Sequence, residues 1–98
     1  MGLDQVDSNF VEKEIGRAVS DVKSTIEMTR NKEYRKFTKI TSETDFAFGW
    51  ALGQIMRGFL YFFLIRHGRQ ANQTEIDEAV SRINVRSKEI QDAILGCM

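Results

Sequence analysis

Residues 46–65 read FAFGWALGQIMRGFLYFFLI and hold seven of the chain's ten aromatic residues. A segment this apolar must be covered, so whatever it packs against sets the fold. It contains no proline and no two-residue alternation. It is also far longer than the roughly five or six residues of an ordinary strand, so the pattern predicts an α-helix. Thr44, or Ser42 with Asp45, supplies the N-terminal cap, and Gly68 after Arg66 and His67 supplies the stop.

At about 100° per residue, Phe48, Leu52, Ile55, Met56, Phe59 and Phe63 share one face. Gly49, Gly53, Phe46, Leu60 and Leu64 form the adjoining one. Together they span about 220°, twice the stripe that a surface helix needs. What remains is a narrow seam of Trp50, Gln54, Arg57 and Tyr61, each with a polar tip on an apolar or long stem. Either a protein interior or a bilayer absorbs so wide an arc. The length suits a span of about 20 residues. However, Arg57 near the middle would cost roughly 2.5–3.5 kcal/mol there, and Gln54 and three glycines add to it. A protein interior is therefore expected, with Gly49 and Gly53 allowing a close helix crossing.

Amphipathic segments flank this helix. The first starts at Ser8 and repeats Val11, Ile15, Val19, Val22 and Ile26 at helical steps. It ends near residue 30, or continues through Tyr34 and Phe37 to about 39. The last begins at Asn72 or Thr74, Asn72 with Glu75 resembling a capping box, and carries Ile76, Val80, Ile83, Ile90 and Ile94, with Ser87 filling the gap. Glu78 with Arg82, and Arg86 with Glu89, are spaced to pair on its surface. With no proline in 98 residues, the expectation is one all-α domain over 1–98. It comprises three long helices (8–30 or 8–39, 43–67, 73–96) in an antiparallel bundle.

Each member of a three-helix bundle faces two neighbours and water, so the middle helix wants more cover than its siblings give. Phenylalanines left in water would forfeit roughly 1.5–3 kcal/mol each. A homodimer is the expected remedy, with Phe48, Gly49, Leu52, Gly53, Met56, Phe59, Leu60 and Phe63 forming its core and interface.

Chemistry-bearing constellations are sparse. One histidine and one distant cysteine, Cys97, make no zinc set, and no glycine-rich phosphate loop follows a strand. No catalytic residue, metal or cofactor is expected. His67 at a helix C-terminus suits the helix dipole. The acidic pairs Glu75/Glu78 and Glu89/Asp92 fall on one helix about 16 Å apart, too far to share a magnesium ion, and read as a charge-laddered face. Fourteen basic and fourteen acidic side chains balance. That excludes a wholly basic nucleic-acid binder. The single cysteine allows no internal disulfide, and the first residues carry no basic-then-apolar leader pattern, so a cytoplasmic location is expected.

One segment departs from the balance. Residues 30–39 carry Arg30, Lys32, Arg35, Lys36 and Lys39 against a single acid, Glu33, with Tyr34 and Phe37 interleaved. Such a mixture neutralises phosphates and stacks on bases. The leading expectation is a non-enzymatic homodimeric protein that binds another macromolecule, an unidentified protein partner. Nucleic-acid binding through Arg30, Lys32, Tyr34, Arg35, Lys36 and Lys39 is the alternative. A small-ligand site on the Trp50–Gln54–Arg57–Tyr61 seam is the third.

Overall fold

The computed structural model describes residues 2–36 and 38–98, and Phe37 lies outside the described residues. The described chain is all-helical, as expected: α1 (Gln5–Ser20), α2 (Val22–Thr29), a 3-10 turn (Tyr34–Lys36), α3 (Glu43–His67), α4 (Gln73–Val85) and α5 (Ser87–Gly96).

The count of three long helices needs correction, because the outer two rods are each broken once. Asp21 joins α1 to α2 with φ −91° and ψ 2°. The ladder is nearly continuous there, since its N–H donates to the Arg17 carbonyl at 2.9 Å and its own carbonyl accepts from Thr25 at 3.1 Å. Arg86 joins α4 to α5 with φ −104° and ψ 8°, its N–H reaching back only three residues to Ile83. Both joints are bends and not reversals, so all four short helices remain packed on α3.

The first rod also begins and ends elsewhere than expected. Asp4, not Ser8, is its cap, its side chain accepting from the Asp7 N–H, and Ser8 is buried inside α1. Among the described residues the continuation to residue 39 does not form as α-helix. Asn31 turns the chain by accepting the Tyr34 N–H on its side-chain oxygen at 3.0 Å. Arg35 Nε then donates to the carbonyl of Thr29, the last residue of α2, at 2.7 Å.

The other caps are as read. Ser42 accepts from Asp45 at the head of α3, and Gly68 closes it in the left-handed region at φ 69°. Asn72 and Glu75 complete a reciprocal capping box.

The core runs along α3 through Ala47, Ala51, Ile55, Phe59 and Phe63 and meets Val11, Ile15, Val22, Ile26, Ala79, Ile83, Ile90 and Ile94. Half-buried Phe48, Leu52 and Met56 pack against it. Phe62 stacks on Phe10 with ring centroids 4.0 Å apart. The large side chains among these stabilise the fold by roughly 1.5–3 kcal/mol each.

The expectation that phenylalanines stay in water in a single chain is therefore not met: no described phenylalanine is exposed. The bent rods cover one side of α3. What they leave outside is Trp50, Leu60, Tyr61, Leu64 and Ile65.

Polar contacts lock the ends. Asp4, the cap of α1, and Asp7 within it meet Arg66 and His67 in the last turn of α3. Arg30 and Arg35 meet Glu43 in its first turn.

Candidate functional site

A groove of about 880 Å³ separates α1–α2 from α3. The four seam residues expected from the sequence, Trp50, Gln54, Arg57 and Tyr61, all line it. One turn of helix separates Trp50 from Gln54 and Arg57 from Tyr61, which is why a sequence-level wheel brought them together. Glu14, Arg17 and Asp21 stand on the facing wall, and Ala18, Ala51 and Ile55 contribute apolar surface. Ser24 and Met28 also belong to a shallower hollow of about 590 Å³ that carries the groove on to Tyr34.

The charges of this groove are incompletely paired. Glu14 and Arg17 form an ion pair at 3.5 Å. Arg57 forms none among the described residues, whereas the other seven arginines each meet a carboxylate. Nor does Arg57 stack on Trp50 or Tyr61; the cation–π contact of the described chain is Arg69 over Phe63, 4.9 Å from the ring centre. Asp21, held at the α1–α2 joint, also lacks an ion-pair partner among the described residues.

The residues expected at a dimer interface separate into two sets. Phe59 and Phe63 are buried in the chain's own core, with Phe48, Leu52 and Met56 half-buried beside them. Gly49, Gly53 and Leu60 remain exposed, next to Leu64. A Cβ added at Gly49 or Gly53 meets no atom within 4 Å.

The basic segment is less free than its composition implies. Glu43 takes both Arg30 and Arg35, at 2.8 and 3.0 Å. Lys36 pairs with Glu33 at 3.1 Å. Tyr34 packs against Phe46 in a T-shaped arrangement, with ring centroids 6.0 Å apart. Lys32 and Lys39 are exposed.

One cluster joins residues about sixty positions apart and has no signature in the sequence. Asp7, almost fully buried, receives Arg66 Nη1 at 3.0 Å and His67 Nε2 at 2.8 Å. Arg66 also reaches Asp4 at 2.7 Å. The N–H of Asp7 and then the Arg66 guanidinium hold the Asp4 carboxyl below its ordinary range. Ligand atoms of Asp4, Asp7 and His67 lie within 4.8 Å of one another, a spacing a cation could use. The guanidinium already occupies both carboxylates, so the cluster is complete as a salt-bridged clasp.

The two acidic pairs of the last rod are likewise spoken for. Glu75 meets Arg69, Glu78 meets Arg82, Glu89 meets Arg86, and Asp92 meets Lys88. No family model, curated protein or solved structure matches this chain.

Proposed function

We propose that this chain is a non-enzymatic helical binding module. In this reading it works as a cytoplasmic homodimer whose antiparallel bundles pair through α3 and offer their charged outer faces to another macromolecule. The observation that carries it is the uncovered sector of α3. Leu60 and Leu64 are each 40% exposed, and on the same side Gly49 and Gly53 are open to solvent.

Gly49, Gly53, Leu60 and Leu64 are uncharged, with the exposed Arg57 at the edge of their strip, while the outward faces of the other rods carry ion pairs at intervals. A neutral, glycine-notched strip is complementary to itself, as a two-fold contact requires.

Lipid is the competing cover. α3 is the one described helix long and apolar enough to cross a membrane, with a mean hydropathy of 1.3 over its most apolar window. That criterion is equally met by core helices. Here the opposite half of α3 is packed against four charged helices that would have to enter the bilayer with it, at several kcal/mol for each unpaired charge.

The test is the mass in solution at micromolar concentration. Twice the 11.3 kDa of one chain is expected. Leu60→Glu with Leu64→Glu should restore the single-chain mass with the helical circular dichroism unchanged. A wild-type mass of one chain, or recovery only in detergent, would sink the reading.

A further inference from the structure

We infer that the groove between α1–α2 and α3 binds a zwitterion with a flat apolar body, Arg57 taking its carboxylate and Asp21 its ammonium group. Two observations support this. Arg57 is the sole arginine without a carboxylate among the described residues, and it stands on the wall of this groove. The acid left over on the facing wall is Asp21, because Glu14 is already held by Arg17.

A purely anionic ligand would be repelled by Asp21 and a purely cationic one by Arg57, so the residual charges select a molecule carrying both. The lining also includes the apolar Ala18, Met28, Ala51 and Ile55 and the aromatic Trp50 and Tyr61. Trp50 is 37% exposed and Tyr61 is 67% exposed; both line the groove and offer aromatic surface to a planar body. The volume, about 880 Å³, lies within the range of small-molecule sites, roughly 300–1,000 Å³. Free aromatic amino acids and short aromatic peptides share this chemistry.

The experiment titrates isotope-labelled protein with tryptophan, the dipeptide Trp-Trp, N-acetyltryptophan and tryptamine. It follows the Gln54 and Gly58 amides and the Trp50 indole N–H by NMR. Saturable shifts are expected with the two zwitterions, each tighter than either singly charged analogue. Tighter binding of the dipeptide identifies a peptide, and tighter binding of tryptophan a free amino acid. Arg57→Gln should weaken the zwitterions about ten-fold, the loss of a charged hydrogen bond, and erase their advantage over tryptamine. Asp21→Asn should erase their advantage over N-acetyltryptophan. Unchanged spectra with all four compounds, equal affinity for all four, or wild-type affinity in the Arg57→Gln protein would overturn the inference.

Discussion

Arg69 and Glu75 face each other through two parallel hydrogen bonds of 2.9 Å, one to each carboxylate oxygen. The Asn72 N–H adds a third bond at 2.8 Å, so the capping box of α4 and the fork of Arg69 share one acid. That guanidinium first, and the Asn72 N–H with it, pull Glu75 from an ordinary 4.5 to about 2 against the opposing effect of burial.

A carboxyl whose pKa is lowered by folding contributes stability above its unfolded pKa and loses it as the folded pKa is approached. The melting temperature should therefore fall as pH drops from about 4.5 toward about 2. Glu75→Gln should be less stable than wild type at neutral pH but show a flatter acid limb. Thermal melts followed by circular dichroism across that range test it. An unchanged acid limb in the variant would remove Glu75 from the account.

Asp7 is the acid that both Arg66 and His67 depend on, and its side chain is 2% exposed. Asp7→Ala should cost about 3 kcal/mol, the lower end for breaking a buried pair. The lower end applies because the Arg66 and His67 side chains, 33% and 26% exposed, can regain water. Urea denaturation should give a lower midpoint with an unchanged slope.

Phe59 is fully buried, while Phe62 is only half-buried against Phe10. Phe59→Ala should destabilise by about 3–5 kcal/mol and Phe62→Ala by clearly less. Comparable losses in chemical denaturation would mean that Phe62 is covered more deeply in solution, as a second copy would do.

Gly53→Ala separates the isolated chain from a paired one. A Cβ there meets nothing within 4 Å, so in a single chain the change should stabilise α3 by about 0.5–1 kcal/mol through backbone entropy. In a homodimer joined at this glycine the added methyl should instead weaken self-association. Dissociation measured by sedimentation, beside the melting temperature at low concentration, reads the two effects separately.

The helix ends of the middle and last rods were legible because their chemistry is local. Ser42, Gly68, Asn72 and Glu75 each act within four residues of themselves. The helical periodicity of α3 likewise marked Ile55, Phe59 and Phe63 as core and brought the seam residues into line along the groove.

The bends at Asp21 and Arg86 were not legible. Neither involves proline or glycine, the residues that mark a helix break in a sequence. Ala47 and Ala51 were missed for a related reason. Their small side chains carry little hydrophobic weight in a sequence pattern, yet both are buried. The turn at Asn31 did carry a signal, an asparagine able to capture a nearby N–H, but continuing periodicity at Tyr34 masked it. The Asp7 clasp lay beyond any sequence window, because its members are about sixty residues apart in the chain.

That clasp makes the opening turn of α1 a late and costly place to fray. A helix start usually trades its amide hydrogens with water through small local fluctuations. Here, releasing the backbone from Ser8 to Val11 requires parting Asp7 from two partners on another helix. Deuterium uptake at these amides is thus expected to be as slow as in the middle of α3, with the terminus behaving as part of the cooperative unit.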